Sequence, residues 1–87
     1  MAVIRLSGQL QALAGGPLHT VEGATVRDAL ITLEARNPRI GGWILDERRM
    51  IRTHINVFVN GERGGEDTPV RHEAQIHVLP AITGGLR

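Results

Sequence analysis

The sequence predicts an α+β fold, a mixed sheet of four to five strands with one main helix packed on one face. Three observations lead to this prediction: two short apolar segments near the N-terminus, a single amphipathic helix pattern after them, and two strongly alternating segments in the second half. A length of 87 residues without internal repeats fits one domain with one core. Because there is one long helix pattern, we expect it to cover only one face of the sheet.

The front of the chain predicts two strands separated by a turn of helix. Residues 2–7 alternate, with Ile4 and Leu6 on one face, and residues 10–13 fit a single helical turn. Residues 18–21 form the second short strand. The glycine- and proline-rich connection before it stops the helical turn, and we expect the two strands to pair antiparallel.

The clearest helix begins after Thr25, whose side chain is a good N-cap. Asp28 lies in the first turn, where the helix dipole favours a negative charge. The sequence Asn37-Pro38 ends the helix. Four apolar residues share one face at helical spacing: Val26, Ala29, Leu30 and Leu33.

The middle of the chain has one segment without a periodic pattern and one strong strand. Residues 38–53 contain Gly41-Gly42, which breaks any long helix, and their path stays open, with a short turn under the sheet at residues 43–45 as one option. Residues 54–60 alternate as a strand with Phe58 on the face away from the core. Asn60-Gly61 is a hairpin turn signal.

The last strand is predicted at residues 74–79, with Leu79 facing outward and Pro80 ending it. With the helix between them, the first and last strands are expected to lie parallel in the centre of the sheet. This order of elements is a β-grasp arrangement. We expect a β-grasp domain over residues 1–81 and a C-terminal tail over residues 82–87 that nothing holds in a regular element.

Composition argues against several classes of function. The net charge is +1 with scattered arginines, and the two aromatic residues, Trp43 and Phe58, offer little for base stacking, so we expect no nucleic-acid binding. No apolar run approaches a membrane span, no signal peptide is visible, and cysteine is absent, which together suggest a cytoplasmic protein. The four histidines lack metal-ligand spacing, so no metal is expected. The acidic residues Glu62, Glu66 and Asp67 are predicted to form a solvated loop.

Several stretches of the chain, in their order and spacing, resemble the MoaD/ThiS/CysO family of ubiquitin-like sulfur carriers. They are residues 13–16 (Leu-Ala-Gly-Gly), 23–30 (Gly-Ala-Thr-Val-Arg-Asp-Ala-Leu), 55–62 (Ile-Asn-Val-Phe-Val-Asn-Gly-Glu), 76–81 (Ile-His-Val-Leu-Pro-Ala) and 83–85 (Thr-Gly-Gly). The resemblance covers nearly the whole chain. No single stretch is specific, but their order and spacing together are.

The resemblance implies that the working group is the carboxylate of Gly85, preceded by Gly84. An E1-like adenylating enzyme uses ATP to activate this carboxylate, sulfur displaces AMP, and the resulting thiocarboxylate supplies sulfur to an accepting synthase. The chain would then be a carrier with no catalytic residues and no bound cofactor. Molybdopterin, thiamine, cysteine and other thio-metabolites stay open as the pathway served.

One departure from the family pattern is that Leu86 and Arg87 follow Gly85. The resemblance therefore implies a precursor that is cut between Gly85 and Leu86, for example by a zinc-dependent protease that trims tails. A ubiquitin-like protein modifier or interaction module that carries no sulfur is the alternative to a carrier.

A partner surface is predicted on the open sheet face. Phe58 and Leu79 both point away from the core, with Arg5 nearby and Ile82 in the tail. Apolar residues with a polar rim often mark protein interfaces. The alternative at this point is that residues 38–53 cover Phe58 and Leu79.

Overall fold

A computed structural model describes residues 1–80 of the chain, and it confirms the predicted β-grasp fold, a mixed sheet carrying one main helix. The elements are β1 (Ala2–Leu6), α1 (Gln9–Leu13), β2 (Leu18–Val21), α2 (Val26–Arg36), a 3-10 helix (Pro38–Ile40), β3 (Ile55–Val59), β4 (Glu62–Arg63) and β5 (Gln75–Pro80). The sheet has five strands in the order β2-β1-β5-β3-β4. The predicted domain boundary at residue 81 and the predictions for Ile82, Gly84, Gly85 and Leu86 lie outside the described residues.

The strand pairing follows the predicted plan. β1 pairs parallel with β5 and antiparallel with β2, and β3 pairs antiparallel with β5. β4 is a short edge strand joined to β3 through Asn60 and Gly61, whose φ angles of 52° and 88° are those of a tight hairpin turn. The last strand, β5, is therefore the centre of the sheet, and the tail continues directly from it.

The helix α2 covers one face of the sheet. It begins as predicted, with the backbone N–H of Asp28 donating to the Thr25 hydroxyl at 3.2 Å. The four residues predicted to share a face are all buried: Val26, Ala29, Leu30 and Leu33. They pack with the inward side chains of the strands in one apolar core, which contains no buried polar or charged side chain within residues 1–80.

The segment of residues 38–53 adds to this core on the helix side. Ile40, Ile44 and Leu45 are buried, and one carboxylate oxygen of Glu34 in α2 accepts from the backbone N–H groups of Ile44 and Leu45, each at 3.0 Å. These contacts place this part of the segment on the helix side of the sheet, opposite the face that carries Phe58 and Leu79. Trp43, by contrast, is 39% exposed.

Two local predictions need correction. The sequence predicts that the strand stops before Pro80, but Pro80 is the last residue of β5 and pairs with Ile55. Proline has no backbone N–H to donate, but its carbonyl can still accept a hydrogen bond, so it is tolerated at the end of a strand. Glu66 was expected in a solvated loop, but it is half-buried and its carboxylate accepts from the backbone N–H of Ile51 at 2.9 Å. This bond ties the β4–β5 connection to the 38–53 segment.

Within residues 1–80, none of the helices is both long and apolar enough to span a lipid bilayer.

Candidate partner-binding surface and tail base

The sheet face opposite α2, called here the outer face, presents one row of side chains that crosses all five strands. The strand register aligns Leu18 with Arg5, Arg5 with His77, His77 with Phe58, and Phe58 with Arg63. Side chains of directly paired residues on one face are near neighbours. The row is therefore a continuous surface in which two apolar residues, Leu18 and Phe58, are separated by Arg5 and His77.

Phe58 and His77 form the middle of this row. Phe58 is half-buried and is not a member of the core, while the His77 ring nitrogen Nε2 lies 2.9 Å from the Ser7 hydroxyl, which holds the imidazole toward β1. At the edge of the row, Leu18 is 55% exposed. A large apolar side chain this accessible, with aromatic and basic neighbours, has the composition of a protein interface.

Leu79 lies two residues beyond His77 on β5 and points to the same face, opposite Asn56 and diagonal to Phe58. The Asn56 side-chain oxygen accepts from Arg63 at 2.6 Å, which holds the guanidinium over β3. Phe58 and Leu79 are thus within reach of each other across the β3–β5 pair, and Arg63 borders them.

The charges on the outer face have one sign. Among the strand residues that point to this face, Arg5 and Arg63 are cationic and none carries a carboxylate. The surface therefore favours a partner that offers an apolar pocket with acidic residues around it.

The tail begins at the end of β5, the central strand of the sheet that carries this surface. Pro80, the last residue of β5, pairs with Ile55, the first residue of β3. Gly8, just before α1, lies near the Pro80 ring, since a Cβ on Gly8 would come within 3.7 Å of it. The point from which the tail continues is thus fixed by three neighbouring elements.

The sequence placed Phe58, Leu79 and Arg5 on the correct face, although Arg5 and Phe58 are two strands apart, with His77 between them. Their role in binding stays a prediction. Sequence reasoning missed His77, Leu18 and Arg63 as members of the row. Alternation shows which way such residues point, but the register that aligns them needs the structure. No group of three His, Asp or Glu side chains that could hold a metal lies within the part of the chain described here.

Known proteins resemble the chain in both sequence pattern and structure. The model of the ThiS family matches residues 4–85. No match was found among curated protein sequences. Small archaeal modifier protein 1 from Methanosarcina acetivorans superposes with a TM-score of 0.85 at 26% identity, over 97% of this chain and 95% of that one. Small archaeal modifier protein 1 from Haloferax volcanii gives 0.83 at 28% identity, over 97% and 98% of the two chains.

A chain of the BexX/CysO complex from Amycolatopsis orientalis superposes with a TM-score of 0.85 at 28% identity, over 98% of this chain and all of that one. The family match includes the Gly84-Gly85 pair and spans nearly the whole sequence. The chain therefore belongs to the ThiS family, within the ubiquitin-like sulfur carriers and modifiers of the MoaD/ThiS/CysO type.

Proposed function

We propose that the chain carries sulfur as a thiocarboxylate on Gly85 after adenylation by an E1-like enzyme. The observation that carries this proposal is the position of Gly84-Gly85, which lie only a few residues beyond Pro80 at the end of the central strand. Five residues extend at most about 17 Å. A carboxylate on Gly85 can therefore enter a partner's active site while the folded domain stays outside it.

The chemistry needs an activated acyl group. A carboxylate oxygen is a poor leaving group, so the Gly85 carboxylate first attacks the α-phosphate of ATP and releases pyrophosphate. A hydrosulfide equivalent supplied by the partner then attacks the carbonyl carbon, and AMP leaves. Glycines suit this path because they have no Cβ, which lets a narrow channel approach the backbone closely. The chain itself supplies no catalytic group in this scheme.

Processing comes first in this proposal. Because Leu86 and Arg87 follow Gly85, the Gly85 carboxylate is free only after a protease removes them. A zinc-dependent protease that trims tails is the proposed agent. Since activation consumes ATP, we place the whole sequence of steps in the cytoplasm.

The outer face is the proposed docking surface for the adenylating enzyme and for the sulfur-accepting synthase. Phe58, Leu79 and Arg5 were selected from the sequence, and the structure adds His77 and Arg63 to the same surface. An aromatic anchor with arginines on the same surface is a composition that concentrates binding energy in protein interfaces.

Mass spectrometry tests the proposed product. A chain ending at Gly85 is incubated with the E1-like adenylating enzyme of the same organism, ATP and sulfide. Exchange of one carboxylate oxygen for sulfur adds about 16 Da. The expected result is this gain on the C-terminal peptide that ends in Gly84-Gly85. An unchanged mass, with the enzyme shown to be active on another carrier, contradicts the proposal.

A second candidate function is attachment of Gly85 to other proteins as a modifier. It is favoured by the similarity to proteins named small archaeal modifier protein 1. The two candidates predict different fates for the same activated carboxylate. A carrier accumulates as the thiocarboxylate, whereas a modifier is found joined through Gly85 by an isopeptide bond to lysines of other proteins.

A further inference from the structure

A shallow pocket of about 270 Å³ lies in the segment before β3. Its lining residues are Gly41, Gly42, Trp43, Arg52 and His54. None of them belongs to the outer face or is used by the proposed function. A pocket that combines an exposed indole with a guanidinium and an imidazole is an unusual feature in a chain with two aromatic residues.

The pocket is placed at the end of the sheet from which the tail continues. His54 directly precedes Ile55, and Ile55 pairs with Pro80, the last residue of β5. An enzyme that threads Gly85 into its active site must lie against this end of the domain, because only a few residues separate Gly85 from Pro80. The pocket therefore faces the body of any enzyme that binds the tail.

The guanidinium of Arg52 is fixed and available. Its Nε donates to the Gly42 carbonyl at 2.6 Å, and its backbone N–H donates to the Ile44 carbonyl at 2.9 Å. Within residues 1–80 its two Nη atoms donate no hydrogen bond to a side chain or carbonyl. A held guanidinium with free Nη atoms presents the fork that matches a carboxylate.

The other residues of the pocket suit an acidic side chain. His54 is exposed and its imidazole adds a nitrogen donor, and the two glycines leave the rim open. Among residues 1–80, no carboxylate lines the pocket. The charge of Arg52 acts on the Asp46 carboxylate in the same segment, but no ion pair joins these two residues. The Asp46 carboxylate instead accepts from the backbone N–H groups of Arg48 at 2.8 Å and Met50 at 3.0 Å.

We propose that the Trp43–Arg52–His54 pocket is a second docking point for the adenylating enzyme and takes an Asp or Glu side chain of that enzyme, with Trp43 packing beside it. This inference rests on the proposed function, since it assumes an enzyme that binds the tail. Trp and Arg are the residue types that most often dominate interface energetics. The pocket and the outer face then contact the enzyme on two sides of Pro80, from which the tail continues.

The test measures ATP–pyrophosphate exchange by the E1-like adenylating enzyme of the same organism, using chains that end at Gly85. Trp43→Ala and Arg52→Glu are each expected to raise KM for the carrier by about tenfold with kcat unchanged, because they remove docking and not chemistry. The matched control is Arg71→Glu. It makes the same charge change at an exposed arginine just before β5, at the opposite end of the sheet, and is expected to leave KM within about twofold.

The outcomes separate the two proposals. If the unsubstituted chain gives no exchange, the proposed function falls and the docking proposal falls with it. If that chain is active and both variants keep its KM, only the docking proposal is overturned. A lower KM for Arg52→Glu would show that the pocket holds the chain's own tail and would also overturn it. Saturable quenching of Trp43 fluorescence by ATP without enzyme would instead identify a nucleotide site. Melting temperatures check that each variant folds, and if Arg52→Glu does not, Trp43→Ala decides.

Discussion

Phe58 lies directly opposite His77 in the β3–β5 pair, on the sheet face that α2 does not cover. Arg5 flanks His77 on the other side, and Arg63 flanks Phe58. This relationship places an aromatic side chain beside the central strand on the sheet's open face, between His77 and Arg63. The same face extends to the end of β5, where the tail begins.

The first prediction concerns Phe58. Because Phe58 is half-buried outside the core, Phe58→Ala should change the free energy of unfolding by no more than about 1 kcal/mol. It should still weaken binding to the adenylating enzyme by about fivefold or more, since an aromatic anchor is lost. Thermal unfolding and a binding titration measure the two effects.

The neighbouring residue provides the control for Phe58. Val57 is buried on the other face of β3, so Val57→Ala should lower the free energy of unfolding by at least about 1 kcal/mol. If Phe58→Ala destabilises the fold as much as Val57→Ala, Phe58 is a core residue and the assignment of the outer face as a docking surface is wrong.

The second prediction concerns Glu34. Its carboxylate accepts from the backbone N–H groups of two buried residues, Ile44 and Leu45. Glu34→Ala should destabilise the fold by about 1–3 kcal/mol, because both donors lose their partner. Glu34→Gln keeps an acceptor oxygen and should cost less. Chemical denaturation measures both, and equal stability of Glu34→Ala and the unsubstituted chain would rule out this anchoring role.

The third prediction concerns Gly23, where the chain passes close to the start of α2. A Cβ at this position would come within 2.6 Å of the Ala29 backbone nitrogen. Gly23→Ala should therefore push the helix away and cost about 1–3 kcal/mol of stability. Gly65→Ala is the control because a Cβ there meets no atom within 4 Å. Unfolding curves that coincide for the two variants would disprove this close approach.

The fourth prediction is a pH dependence at Asp46. The pKa of the Asp46 carboxyl lies below its ordinary value of 3.8, chiefly because the backbone N–H of Met50 donates a hydrogen bond to it. Desolvation opposes this effect, while the hydrogen bond from the Arg48 N–H and the charges of Arg52 and Arg48 add to the lowering of the pKa. A carboxyl with a lower pKa in the folded chain stabilises the fold above its unfolded pKa, and this contribution is lost as the pH falls through the folded pKa.

Asp46→Asn should therefore lower the melting temperature at pH 7, and its difference from the unsubstituted chain should shrink as the pH falls below about 4. Glu47→Gln removes the neighbouring carboxylate, which makes no hydrogen bond within residues 1–80, and serves as control. A difference for Asp46→Asn that is the same at every pH would show that the ionised form of Asp46 does not stabilise the turn.

Local signals in the sequence were enough to predict most of the fold. Thr25 and the apolar spacing after it define α2, and alternation defines β1, β3 and β5 to within a residue at each end. The parallel pairing of β1 with β5 follows because a helix lies between strands that must share one core.

The path of residues 38–53 and the pocket could not be predicted. The hydrophobic pattern of this segment has no helix or strand period. Its position depends on hydrogen bonds to Glu34 and Glu66 and on the bridge between Leu45 and Ile51. No sequence motif marks these contacts. For the same reason nothing in the sequence brings Trp43 and Arg52 together. The alternation of apolar and polar residues in the last strand predicts that His77 points outward. Its place between Arg5 and Phe58 depends on the register of three strands.

The fifth prediction, on the tail, tests the central claim most directly. The measurement is ATP–pyrophosphate exchange by the E1-like adenylating enzyme, with otherwise identical chains that end at Gly85 or at Arg87. Adenylation needs the carboxylate within about 3–3.5 Å of the α-phosphate. Two further residues lengthen the tail by up to about 7 Å and add two large side chains. We predict exchange with the chain that ends at Gly85 and little or none with the chain that ends at Arg87. Equal exchange by both chains would contradict the processing step, and no exchange by either would contradict the carrier function itself.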